Sequence, residues 1–215
     1  KPTGLQRTYP NVLNFEGVYG LENAKWANPD FPGYNATIPF IRMLAGPMDY
    51  TPGAMKNANK ANFRAIHSAP MSQGTRVHQL ALYVLYEAPF NMLADSPTNY
   101  MEEEESTAFI ASVPTIFDET VALDGKVGEF AAIARRRADT WYVGAITNWD
   151  ARDVSLDLSF LPQGSYEAEI FRDGINADRR GIDYEREVKK VGPGDKIEFH
   201  MAPGGGWAAK IRPSN

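Results

Sequence analysis

Two glutamates six residues apart, Glu16 and Glu22, stand with Gly17 and Gly20 between them, in the stretch of this sequence best suited to chemistry. Residues 7–26 read RTYPNVLNFEGVYGLENAKW, with polar flanks at Arg7, Thr8, Asn11, Asn14 and Asn23. A helix would set the two acids about 240° apart around its axis, on different faces. In extended or irregular chain the even spacing lets both side chains point the same way. The glycines permit the backbone angles that a turn there needs. Two carboxylates on a rigid rim bind a hard cation, or divide acid and base work between them. The plain alternative is a solvated turn with two surface acids, since most acids are exposed.

The remaining polar candidates carry less. Asp49, in GPMDYTPG, is placed to touch a substrate or orient a neighbour, or else to cap the bend of Thr51, Pro52 and Gly53. Arg7 reads as an ion-pair partner for Glu16 or a clamp on a loop carbonyl. His67, His78 and His200 share no metal-ligand spacing and read as surface or helix histidines. Asp173, Asn176 and Asp178 hint at a calcium loop but fail the EF-hand pattern, which needs a Glu at its twelfth position. The four acids at 102–105 read as a solvated helix start favoured by the helix dipole, and the arginines at 135–137 as a solvated strand start or turn. Trp141, Trp149 and Trp207 read as core or inter-domain packing.

The chain has 215 residues, enough for one or two domains with proper cores. A net charge of −5 argues against a nucleic-acid partner. No apolar run reaches the length of a membrane span. With no cysteine, disulfides and thiol catalysis are excluded. The first residue is Lys1 rather than Met, so a part of a longer polypeptide is expected.

Several elements must hold these residues in place. The apolar run at 38–45 (IPFIRMLA) is predicted as a buried parallel strand feeding the GPMDYTPGAM loop. Val77, Leu80, Ala81, Val84 and Leu85 recur at helical spacing and predict a helix over 75–87 with one buried face, ended by Pro89. A short buried strand is expected at 90–94, and a helix from 102 toward 112. Strand, loop, helix and strand in this order is the rhythm of a parallel barrel. Only about three βα units fit, so the segment reads as the C-terminal part of a (β/α)8 TIM barrel whose first strands lie upstream. From Pro114 onward the character changes to short β-prone runs at 140–149, 155–160, 166–171, 188–191, 196–201 and 206–211. Turn signals separate them at Asp124-Gly125, Asp173-Gly174 and Gly192-Pro193-Gly194. These predict an antiparallel β-sandwich. The fold class is therefore α/β plus all-β: a catalytic-barrel part over 1–115 and a C-terminal β-sandwich domain over 116–215.

The motifs KPTGLQRTYPN, EGVYGLE and PFIRMLAGPMDYTPGAM resemble the second half of a glycoside hydrolase family 97 enzyme. The resemblance is strong over residues 1–100 and weaker beyond. It implies a calcium-dependent O-glycosidase that cleaves terminal α-linked sugars from an oligosaccharide or glycoside. In the matching motif Glu22 is the general acid, and Glu16 is a Ca2+ ligand with Glu22 also in the calcium shell. Asp49 stays a candidate substrate contact. Inverting members of the family use a glutamate base that would precede Lys1, and retaining members an aspartate further upstream. The wording around Glu22 is closer to the retaining, α-galactosidase-like branch than to the α-glucosidase one. The resemblance also implies a periplasmic or secreted protein, with the upstream part of the same barrel as a partner. Two alternatives stand beside it: a non-catalytic carbohydrate-binding or interaction module, and a β-L-arabinopyranosidase of the same family.

Overall fold

The computed structural model describes residues 4–214, so Lys1 to Thr3 of the first motif and Asn215 lie outside it. The N-terminal half is built from short elements: helix α1 (Leu5–Thr8), a 3-10 turn at Leu21–Lys25, α2 (Phe31–Asn35), 3-10 turns at Ile38–Phe40 and Met43–Ala45, and strands β1 (Asn57–Ala58) and β2 (Ser72–Gln73). Helices α3 (Arg76–Leu85), α4 (Pro97–Glu102) and α5 (Glu104–Ser112) follow. Strands β1 and β2 pair in parallel, and a single parallel bridge joins Phe15 to Met48.

Two strand expectations fail here. The run at 38–45 forms 3-10 turns, with Pro39 in the first turn and Gly46 at φ 130° closing the second. An eight-residue apolar run has no periodicity that separates strand from turn, and this one leaves Ile41 and Leu44 59% and 79% exposed. Residues 90–94 are irregular, with Phe90, Met92 and Leu93 all exposed. The helix expected from 102 is broken at Glu103 into α4 and α5. Glu103 is not simply solvated: it pairs with buried Arg76 at 2.7 Å.

The C-terminal half is mostly antiparallel β and sandwich-like. Its strands are β3 (Glu119–Lys126), β4 (Phe130–Arg137), β5 (Thr140–Thr147), β6 (Arg152–Asp157), β7 (Tyr166–Asp173), β8 (Tyr184–Val191), β9 (Lys196–Met201) and β10 (Gly206–Pro213). Six form one sheet in the order β3-β4-β5-β10-β7-β8, and β6 pairs with β9. In β5, Trp141, Val143 and Ala145 point toward the β6–β9 layer, and Tyr142 and Ile146 to the opposite face. Trp207 stacks on Phe199 across the sandwich with ring centroids 4.7 Å apart.

The β3–β4 hairpin occupies a stretch where the sequence suggests no more than a strand start or turn at 135–137, because alanine is a weak strand former. Asp124-Gly125 is not its turn but follows a bulge inside β3, and the chain reverses at Gly128 with φ 76°. The arginines at 135–137 close β4, and Arg135 is buried rather than solvated. Its guanidinium donates to the Leu85 and Tyr86 carbonyls at the C-terminus of α3 and pairs with Glu87 at 2.9 Å. A cation at that helix end meets the negative pole of the dipole.

Helix α3 ties the halves together. Thr75 caps it by accepting from the His78 N–H. All ten of its residues are buried, not one face only, because the six-stranded sheet covers one side and the N-terminal segments the other. The helix lies so close to the sheet that a Cβ on Gly144 would stand 2.7 Å from the Ala81 carbonyl oxygen. His78 is therefore a core residue, whose Nε2 meets Asn35 Nδ2 at 2.9 Å and whose Nδ1 meets the Gly205 carbonyl at 3.1 Å. Neutral imidazole fits both partners, donating from Nδ1 and accepting at Nε2.

The turn at 202–206 is held from its other side by Asp173, whose Oδ2 accepts from the Ala202 and Gly206 N–H groups at 2.9 and 3.0 Å. Burial pushes the Asp173 carboxyl up to about 7, against the donors that pull it down. Burial pulls the His78 imidazole down to about 4. The stability linked to the raised carboxyl is complete below its unfolded value of about 3.9 and lost as pH rises through 7. That linked to the depressed histidine is present above about 6.5 and lost as pH falls through 4. Between about pH 4 and 6.5 the two slopes, each about 1.4 kcal/mol per pH unit, oppose and cancel. Asp173→Asn should expose the histidine slope, so that urea unfolding at pH 4.5, 5.5 and 6.5 gives stability falling by about 1.4 kcal/mol per unit of acidification. A parental pH profile in the Asn variant would mean that Asp173 folds ionised.

Candidate active site

Glu22 sits on the 3-10 turn Leu21–Lys25, whose buried Leu21 and Ala24 anchor it to the core. The Leu21 N–H donates to the Tyr50 carbonyl at 3.0 Å, which fixes the turn against the 47–50 segment. The Asn23 side chain and N–H both donate to the Gly20 carbonyl, at 3.0 and 3.1 Å. Glu22 is exposed, and its carboxylate folds back over Gly20: a Cβ there would lie 2.7 Å from the Glu22 Cδ. Gly20 thus serves by its missing side chain rather than by an unusual φ, which is −65°.

Glu22 lines a cavity of about 190 Å³ whose other polar walls are Lys25, Thr51 and Asp95 and whose apolar walls include Met71 and Leu93. Asp95 is engaged in structure. Its Oδ2 accepts from the Met55 N–H at 2.7 Å, and its Oδ1 from the Ser96 N–H at 2.8 Å and from Asn99 Nδ2 at 2.5 Å. Glu22 is left as the acid of this cavity open to a ligand.

Glu16 is exposed, and neither it nor half-buried Asp49 lines the Glu22 cavity. Asp49 reaches the 15–16 segment through its backbone, donating its N–H to the Phe15 carbonyl at 3.1 Å. The loop-carbonyl clamp expected of Arg7 is made instead by Arg42, which donates to the carbonyls of Phe15, Glu16, Gly46 and Pro47 at 2.8 to 3.0 Å. His67 stacks with exposed Trp26 at 6.1 Å between ring centroids, and His200 pairs with Asp153 at 2.7 Å; neither histidine lines the cavity.

Carboxylate oxygens of Glu16 and Glu22 suit a hard cation in kind. Among the described residues no three His, Cys, Asp or Glu side chains converge, so these two acids would furnish only part of a six- to eight-oxygen shell. Sequence reasoning missed Thr51, Asp95 and Arg42. Thr51 belongs to the TPG turn, but what marks it out, a left-handed φ of 61° at a β-branched residue, is visible only in the structure. Among the described residues no helix is long and apolar enough to cross a membrane.

Residues 116–212 match the family model described as "Glycosyl-hydrolase 97 C-terminal, oligomerisation". A retaining alpha-galactosidase of Bacteroides thetaiotaomicron is 59% identical over 99% of this chain and 32% of its own length. A glycoside hydrolase family 97 enzyme from Pseudoalteromonas sp. strain K8, solved in complex with acarbose, superposes with a TM-score of 0.90 at 38% identity. That match covers 100% of this chain and 34% of the other. A beta-arabinopyranosidase superposes with a TM-score of 0.77 at 25% identity, over 97% of this chain and 32% of the other. The chain spans about a third of the length of the relatives it matches.

Proposed function

The chain belongs to glycoside hydrolase family 97, and from that membership we propose that it is part of a calcium-dependent, retaining glycosidase releasing terminal α-linked galactose, with Glu22 as general acid and base. The observation that carries the reading is the Glu22 carboxyl, folded over side-chain-free Gly20 at the edge of a cavity whose other acid, Asp95, is already hydrogen-bonded. As the acid, Glu22 protonates the leaving-group oxygen; as the carboxylate it then takes a proton from the water that releases the sugar. The nucleophile across the ring comes from outside this chain, about 5–5.5 Å from Glu22 in a retaining site.

Glu16 and Glu22 would hold calcium together with ligands from elsewhere in the barrel. When bound, the ion supplies positive charge that orients sugar hydroxyls. Three backbone contacts support a barrel part over 1–115: the Phe15–Met48 bridge, Asp49 N–H to the Phe15 carbonyl, and Met48 N–H to the Glu87 carbonyl at 2.8 Å. They set segments near 15, 48 and 87 side by side, those at 15 and 48 in parallel, as successive strands of a barrel would lie. Exposed Leu13, Leu44, Phe90 and Met92 fit cover by the upstream strands. Residues 116–215, which hold none of the proposed catalytic or metal residues, would be a non-catalytic sandwich serving assembly. A periplasmic or secreted location follows from the resemblance alone.

Assayed with its upstream barrel part, the enzyme should hydrolyse an aryl α-galactoside in preference to the α-glucoside, releasing sugar of retained configuration. A chelator should abolish turnover and added calcium restore it. Turnover indifferent to chelation would remove the metal from the reading. A preference for an aryl β-L-arabinopyranoside would favour the second reading, which the superposition on a beta-arabinopyranosidase supports. Sugar binding without turnover would favour an interaction module.

A further inference from the structure

We propose that Thr51 is a specificity-determining residue, its side chain hydrogen-bonding a ring hydroxyl of the sugar held beside Glu22. The inference rests on the assignment of Glu22 and extends it to the choice of sugar. Thr51 lines the same cavity as Glu22. Its φ of 61° is doubly unfavourable, because Thr is β-branched and because the residue before a proline is driven toward extended backbone. Strain of this kind persists only where the surroundings over-determine it, and it gathers at ligand sites.

The surroundings do over-determine it. Tyr83 Oη donates to the Pro52 carbonyl at 2.9 Å, and the Ala94 N–H to the same oxygen at 3.1 Å. The Gly53 N–H donates to Gln79 Oε1 at 3.0 Å, and Tyr100 Oη to the Gly53 carbonyl at 2.9 Å. Side chains from α3 and α4 thus pin the backbone just past Thr51, and Pro52 and Gly53 are buried. Among the described residues the other non-glycine at positive φ, Ala138 at 53°, lies in the two-residue β4–β5 hairpin turn, where the strand register demands it. No hairpin demands it at Thr51. A glycine there would be unstrained, yet the chain places a threonine on a pinned wall of the cavity that Glu22 also lines. Epimeric sugars differ in the direction of one hydroxyl, and a site built to hydrogen-bond that group rejects the epimer strongly.

The test uses the enzyme assembled with its upstream barrel part, and compares kcat/KM on galacto- and gluco-configured aryl α-glycosides. Thr51→Val, which keeps the shape and loses the hydroxyl, should lower kcat/KM on the preferred epimer about 10- to 100-fold and shrink the epimer ratio by about as much. Thr51→Ser should restore the ratio. If the valine variant fails to fold, Thr51→Ala carries the same comparison. Glu22→Gln, run in parallel, separates the two assignments. An unchanged epimer ratio in Thr51→Val with activity lost in Glu22→Gln overturns the Thr51 assignment alone; an unchanged ratio with Glu22→Gln fully active overturns both.

Discussion

Glu22→Gln should lower kcat/KM on a natural α-galactoside by about 10²- to 10⁴-fold, the usual contribution of a positioned acid or base. The amide keeps the size of the side chain over Gly20 and an oxygen that a cation could still use, and removes the transferable proton together with the negative charge. An aryl glycoside with a good leaving group needs little protonation, so its first step should survive and leave release of the sugar from the enzyme limiting. Added azide, a nucleophile that needs no general base, should then speed turnover and yield a glycosyl azide of retained configuration. Full activity on the natural substrate, or no effect of azide on the slowed variant, would take Glu22 out of the role.

Arg76→Ala should be the most damaging single change to the fold, costing about 3–5 kcal/mol as a shift in the urea midpoint. Arg76 is fully buried, and its guanidinium meets Asn57 Oδ1 at 2.7 Å, the Met55 carbonyl at 2.6 Å, Ser106 Oγ at 3.2 Å and Glu103 Oε2 at 2.7 Å. Truncation would strand these acceptors and detach the 55–57 loop and the start of α5 from α3 at once. Arg76→Lys should recover little, because one ammonium cannot span the directions that the planar fork reaches. Glu103→Gln should cost less, since its carboxylate is partly solvated and the amide oxygen still accepts. Near-parental stability in Arg76→Ala would mean that α3 is held by apolar packing alone.

The helical period of Val77, Leu80, Ala81, Val84 and Leu85 was legible, and α3 lies where it predicts. The burial of Arg76, His78 and Gln79 on the same helix was not. Periodicity reports the face that meets one layer, while these three are covered by a second layer distant in sequence. The β-prone runs at 140–149, 166–171, 196–201 and 206–211 led to real strands, because β-branched and aromatic residues fit a pleated, half-buried surface. The alanine-rich β4 was not legible as a strand, since alanine is a weak strand former and the contacts that bury Arg135, at Tyr86 and Glu87, lie almost fifty residues away in sequence. The apolar run at 38–45 misled for the opposite reason: hydrophobicity without period names no backbone.

By itself the sequence determined the glycine-flanked pair of acids, the central helix, the antiparallel C-terminal half and the family resemblance, all of them written in neighbouring residues. Only the tertiary structure decided that Glu22 shares a cavity with Thr51 and Asp95 while Glu16 and Asp49 stand outside its walls. Residues 22, 51 and 95 meet through the Leu21–Tyr50 and Met55–Asp95 hydrogen bonds. Such pairings form only after distant segments pack, so no local spacing in the chain encodes them.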